Sequence, residues 1–333
     1  MLRLTLALPL LGTGLAGCSV SPTVDGPSQA SQSTPASGSP SPGPAPSPTV
    51  PAAATAEQQL SAYAAGVLAG PHRKDLDGPT KTLLRFLRDA HGWHATALAG
   101  ADPTSRPTTA TPAPTAQAPN LRGMSLATSL SGLARAESAQ AARQRRAAVA
   151  GSGLTALLSG SLAVAAASYA SALGVDRPPG VTRLGTARPA PLLSDVAALQ
   201  AVVAQLHALV YGYQTALGRL KVGSGARTRA YAGLADARVL RDELATELTS
   251  RRADVPAAEP AYAPSPDPRT AADAGRLIRT MQTRLQPYAG MLLAAAGSSS
   301  DRTRALGVLT STTTAARAWG APLLAWPGWP DVG

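Results

Sequence analysis

Residues 197–220 read AALQAVVAQLHALVYGYQTALGRL. Leu199, Val202, Val203, Leu206, Val210, Tyr213, Leu217 and Leu220 recur at helical spacing, and no Pro interrupts them. One stripe of this helix is therefore apolar from end to end. His207, Tyr211 and Gln214 lie together beside it. Such a helix needs partners to cover its stripe, and the segments after it have the same character. Helices are predicted over 226–252, 270–296 and 300–320. Gly223-Ser224-Gly225, a Pro-rich stretch over 255–268 and Gly297-Ser298-Ser299-Ser300 separate them. Four consecutive helices joined by mostly short loops form an up-down bundle.

The preceding part of the chain repeats the arrangement. Helices are predicted over 56–69, 80–99, 121–149 and 154–173. Their apolar faces include Leu60, Ala64 and Val67, then Leu84, Leu87 and Leu98, then Leu126, Leu130 and Leu133. Arg143, Arg145 and Arg146 are placed near the end of the third, where cations complement the helix dipole. Residues 102–119 are a Pro/Thr/Ala loop, and Pro178-Pro179, Pro189 and Pro191 mark a linker over 176–194. The expected fold is all-α, with two four-helix bundles in tandem at 56–175 and 195–333. The closing Ala325-Trp326-Pro327-Gly328-Trp329-Pro330 cannot be helical and is expected to fold back over apolar surface.

Composition limits what the chain can do. It has 333 residues, a formal charge of +11, 4% aromatics and one Phe, so its cores are built from Ala, Leu and Val. Almost all the positive charge is Arg, since only Lys74, Lys81 and Lys221 are lysines. No basic run carries the interleaved aromatics of a nucleic-acid face, so nucleic acid is not an expected partner. A single cysteine, Cys18, excludes a disulfide or a thiolate metal site in the folded part.

The N-terminus reads as an export signal. Arg3 precedes an apolar run over 4–15, too short to span a bilayer as a mature helix. The run ends in Leu15-Ala16-Gly17-Cys18, which resembles a bacterial lipobox. That resemblance implies cleavage after residue 17 and a diacylglycerol on the Cys18 thiol. The expected location is the extracytoplasmic face of the cell membrane. Residues 18–55 read as a disordered tether: 21–51 contain nine Pro, eight Ser and one charge, Asp25, too little apolar surface to offset ordering. A tether of this reach would hold a basic domain among anionic cell-wall polymers, the second expected partner.

The second bundle resembles the ferritin-like domain of actinobacterial lipoproteins, a family of unknown function. The resemblance rests on Leu206-His207-Ala208-Leu209-Val210-Tyr211-Gly212-Tyr213, on Leu240-Arg241-Asp242-Glu243-Leu244, on Ala258-Glu259-Pro260-Ala261-Tyr262 and on the Trp-Pro-Gly-Trp-Pro tail. It covers roughly 195–330 and implies a ferritin-like bundle. The family commonly places Glu before the His, where this chain has Leu206. It commonly opens the Arg-Arg-Asp segment with His, where this chain has Ala237 or Arg238. Both departures weaken a metal site in this half.

The first bundle carries an echo of a ferritin-like centre, in which two helices each give a Glu and two give Glu-x-x-His. Glu57 is on the first helix, His91 and His94 lie three apart on the second, and Glu137 is on the third, all on or beside apolar stripes. The fourth helix has no acid or His; Ala166 and Tyr169 occupy that spacing. Two carboxylates and two imidazoles suit one Zn²⁺ better than a di-iron pair. His207 with Tyr211 is the other candidate. There is no nucleophile elbow and no phosphate-binding glycine loop, so no catalytic residue is assigned. The expected function is a non-catalytic binding or scaffolding module of the envelope with a degenerate metal site and no resident cofactor. The alternatives are a protein that binds a divalent metal (zinc, iron or manganese) or a binder of a small apolar ligand.

Overall fold

A computed structural model describes residues 49–99, 116–176, 178–182, 192–264 and 266–329. Cys18 with its apolar leader, the tether up to 48, most of the Pro/Thr/Ala loop and much of the linker lie outside the described residues, as do residues 330–333. Among the described residues eight helices follow in order: α1 Thr49–Ala69, α2 Gly78–Ala99, α3 Leu126–Ala150, α4 Gly153–Leu173, α5 Asp195–Leu217, α6 Gly225–Ser250, α7 Ala271–Ala295 and α8 Ser299–Ala318. Among the described residues the extended pairing is a single parallel bridge, Val181 with Leu323. The architecture is all-α, as the stripes require.

Two boundaries differ from the sequence expectation. α1 starts at Thr49, so the last residues assigned to the disordered tether are helical. Pro51 is compatible with this because the first-turn N–H groups have no intrahelical acceptor anyway. α3 starts at Leu126, five residues later than expected. Gly123 has φ +73°, and the Met124 N–H donates to the Leu121 carbonyl, so a turn occupies the expected first turn. Ser125 then caps the helix by accepting from the Thr128 N–H. The three arginines of α3 stop short of its last turn, which carries no basic residue.

The apolar stripe of α5 is buried along its whole length, from Leu199 to Leu217 and on to Leu220. It packs between α6 and α7, and α7 packs in turn on α8. In the first unit α1 pairs with α2 and α3 with α4. The two units are in direct contact. α4 lies on α7 and α8, and Ala148 and Val164 join the core of the second unit.

The C-terminal tail folds back as expected, but it covers the first unit. Leu323, Ala325, Trp326 and Trp329 belong to the apolar core of α1–α4. Gly328, at φ +87°, places its carbonyl so close to α7 that a Cβ at Gly290 would collide with it. The tail is pinned by main-chain bonds from Thr182 N–H to the Leu323 carbonyl (3.0 Å) and from Leu323 N–H to the Gly180 carbonyl (2.8 Å). The Tyr169 hydroxyl donates to the Leu324 carbonyl at 2.9 Å.

At one end of the second unit, Glu247 of α6 accepts from Arg251 and from Arg304 of α8, and Arg251 also reaches Asp195 of α5. The hydrogen-bonded Arg304 guanidinium, with Arg251, holds the Glu247 carboxyl down at about 2 against the opposing effect of burial.

Two predictions come from this architecture. Trp326→Ala removes a large buried ring and leaves a cavity, and is expected to cost about 3–5 kcal/mol in urea unfolding; a loss below 1 kcal/mol would contradict the packing role of the tail. Glu247 is held below its ordinary value of 4.5, so its stabilisation is complete above that pH and is lost as pH falls towards 2. The melting temperature of Glu247→Gln should therefore fall less steeply than that of the parent across this acid range. Parallel curves would contradict the assignment.

Candidate metal centre

α2 presents His91 and His94 three residues apart, on one face, at the level where α1 presents Glu57 and α3 presents Glu137 and Gln140. α4 contributes Tyr169. Each of these side chains lies on the apolar stripe of its own helix, so packing the stripes together buries all of them. Glu57, His91, His94 and Gln140 are each 1% exposed, and Glu137 and Tyr169 are fully buried.

The layer is tightly bonded. His91 Nδ1 lies 2.6 Å from Glu57 Oε2, and its Nε2 lies 2.7 Å from Glu137 Oε1. His94 Nδ1 lies 3.1 Å from the same Glu57 oxygen. The other Glu57 oxygen accepts from Gln140 Nε2 at 2.5 Å, and Gln140 Oε1 accepts from Arg143 Nε at 2.9 Å. His94 Nε2 lies 2.8 Å from the carbonyl of Ala325, in the C-terminal tail. A carbonyl only accepts, so the Nε2 of His94 bears a proton, and Nδ1 faces Glu57. The Trp326 ring packs on His94 at 4.6 Å between centroids, and Tyr169 meets His91 edge-on at 5.6 Å.

Burial alone would raise the Glu57 carboxyl, but the charges and hydrogen bonds of His91 and His94 outweigh it and hold Glu57 well below the usual carboxylate range. Burial would lower His91; the Glu137 and Glu57 carboxylates flanking it outweigh that and hold it up at about 10. Burial raises Glu137, with His91 opposing. Burial also pushes the Tyr169 phenol well above its ordinary value, and both carboxylates add to this. Glu137 Oε2 is buried with no hydrogen-bond partner. A proton or a cation is what such an oxygen lacks.

Glu57, His91 and His94 form a buried group that can hold a metal ion, with one ligand atom from each within 4.8 Å of the others. The two Nδ1 atoms converge on one carboxylate oxygen, and each opposite Nε2 is committed to an oxygen acceptor. This is the outer-shell pattern that fixes the tautomer and orientation of metal-binding histidines. In that arrangement Glu137 supports His91 from behind rather than ligating. A cleft of about 320 Å³ between α1 and α3 has Ala56, Leu60, Ala136, Ala139 and Arg143 among its lining residues. Arg143 connects it to Glu57 through Gln140, so two side chains separate the cleft from the buried carboxylate.

The structure brings together the four polar residues singled out in the first bundle. The second candidate pair is placed elsewhere. His207 Nε2 lies 3.1 Å from the Pro256 carbonyl, and Tyr211 meets Tyr262 at 5.4 Å. Both hold the Pro-rich loop against α5. Three partners escaped the sequence reading: Gln140, Tyr169 as a contact of His91, and the Ala325 carbonyl. Gln140 stands three residues after Glu137, the spacing of His91 and His94, and that repetition was its only signal.

Residues 198–331 match the family described as a domain of unknown function (DUF4439). The matched span runs from within α5 through α8 into the tail, and excludes Glu57, His91, His94 and Glu137. The chain is similar to a solved conserved hypothetical protein from Mycobacterium tuberculosis, at 28% identity over 38% of this chain and 93% of that one, with a TM-score of 0.36. No curated protein gives a significant match.

Removing one member of a buried ionic pair strands the others. Glu57→Ala is expected to cost about 3–5 kcal/mol of stability in metal-free protein. Urea unfolding measures this, and a loss below 1 kcal/mol would show that the layer is not bonded as described.

Proposed function

We propose that this protein is a lipid-anchored, non-catalytic module of the bacterial envelope that holds one divalent metal ion, preferably zinc, at Glu57, His91 and His94. The observation that carries the metal is the pairing of two convergent Nδ1 atoms with two committed Nε2 atoms. A carboxylate and two imidazoles suit zinc. The unpartnered Glu137 oxygen supports the same reading, because added positive charge in this layer offsets it. In this reading both units are ferritin-like, and the second has lost its ligands. The location rests on Leu15-Ala16-Gly17-Cys18 and on the Pro/Ser-rich segment after it. The basic surface favours anionic wall polymers as neighbours.

A second reading has one observation in its favour. His91 Nδ1 and Glu57 Oε2 are 2.6 Å apart, a hydrogen-bond length. Ligand atoms around a tetrahedral zinc ion lie about 3.3 Å apart. The ion therefore requires the pair to open by roughly 0.7 Å, whereas a metal-free proton-sharing cluster requires no movement.

Metal counting separates the two. The mature chain, made without a polyhistidine tag, is equilibrated with Zn²⁺, Mn²⁺ or Fe²⁺, dialysed and analysed. One zinc per chain is expected, with loss in Glu57→Gln and in His94→Ala. A parent protein that retains none of the three metals would leave the proton-sharing cluster. For the anchor, Cys18→Ser is expected to leave the membrane fraction of the producing bacterium. If the variant still sediments with membranes, lipid attachment at Cys18 is refuted.

A further inference from the structure

The second unit contains a cleft that its own packing does not explain. α6 packs on α5, and α8 packs on α7, but α6 and α8 scarcely meet along their middles. They are tied at both ends. Arg229 of α6 donates to the Ala318 carbonyl at 2.9 Å at one end, and Glu247 pairs with Arg304 at the other. Between these ties lies a space of about 270 Å³. The closed ends make it a framed slot, and they exclude fraying of α6 as its cause.

The lining combines apolar walls with a polar floor and rim. Leu206, Leu209, Leu240, Leu285 and Val308 form the walls. Small residues, Ala237 on α6 and Gly307 on α8, stand where a closed bundle would carry large ones, while Gly233 makes room for the Tyr213 ring. At the floor, Tyr213 and Gln282 are 1% and 5% exposed, and Gln282 Nε2 donates to the Tyr213 hydroxyl oxygen at 2.9 Å. That leaves the phenolic proton as a donor. Tyr213 packs against Gly233, and Asp236 follows Gly233 by three residues, on the same face of α6 and at the exposed edge of the slot. A carboxylate acceptor thus stands one helical turn from the group that fills the floor.

We infer that this slot binds a small, mostly apolar molecule carrying one hydroxyl group, which accepts from Tyr213 and donates to Asp236 while its hydrocarbon lies among the leucines. The volume is at the low end for ligand sites and suits an aryl or branched alkyl alcohol rather than a long acyl chain. A hydroxyl is the group that satisfies a donor and an acceptor at once. The site is independent of the metal centre, because it shares no residue with it.

The test uses the mature chain with ¹³C-labelled methyl groups, titrated with 1-naphthol and, separately, with naphthalene. An added Cβ at Gly307 would meet nothing within 4 Å, so Gly307→Leu fills the slot without striking the core and also improves helix propensity. Saturable one-to-one shifts of the Leu206, Leu285 and Val308 methyls are expected with 1-naphthol. Naphthalene should bind at least about tenfold more weakly, since it leaves the polar pair unpaired. Gly307→Leu should abolish the shifts while melting no lower than the parent. Absence of saturation, equal affinity for the two probes, or unchanged shifts in Gly307→Leu would each overturn the proposal.

Discussion

A carboxylate buried to 1% exposure must be surrounded by donors, and Glu57 imposes this condition on the whole first unit. One of its oxygens takes a hydrogen bond from Gln140, and the other faces both imidazoles. The imidazoles then need acceptors behind them. Glu137 on α3 is one, and the Ala325 carbonyl is the other. Side chains of three helices and the backbone of the tail are thereby fixed at one level. Apolar residues of similar volume often give equal or greater stability than a buried ionic cluster. The strength of the fold alone therefore does not account for the cluster.

The tail makes the two units interdependent. It leaves α8 in the second unit, pairs with the linker at Val181, and ends in the core of the first unit with Trp326 on His94. The matched family span ends within this tail, so part of the wall of the first unit's polar layer comes from the second half of the chain. The two four-helix units also differ in what they place at their centres. The first fills the level between its helix pairs with polar side chains that bond one another. The second keeps Tyr213 and Gln282 at the floor of an open slot.

Much of this was legible in the amino-acid order, for a physical reason. Glu57, His91, His94 and Glu137 each interrupt an otherwise apolar stripe, and a polar residue on a stripe is buried wherever the stripe is. The stripe of α5 predicted its own burial residue by residue. The start of α1 was hidden because a Pro-rich composition reads as tether even where Pro occupies a helix first turn. The start of α3 was hidden by the turn at Gly123. The acceptor for His94 had no sequence signal at all, since a backbone carbonyl belongs to every residue and only the path of the tail selects Ala325. His207 and Tyr211 have a metal-like sequence context, yet the loop they hold takes the His207 Nε2 and the Tyr211 ring.

The proposed ion sits where Glu57 meets the two Nδ1 atoms. Zinc K-edge X-ray absorption on the zinc-equilibrated mature chain tests that pairing directly. The account predicts two imidazole nitrogens and carboxylate oxygen at about 2.0–2.2 Å, with the imidazole scattering lost in the variant His91→Ala, His94→Ala. A spectrum of oxygen ligands alone, or an unchanged imidazole signal in that variant, would contradict it.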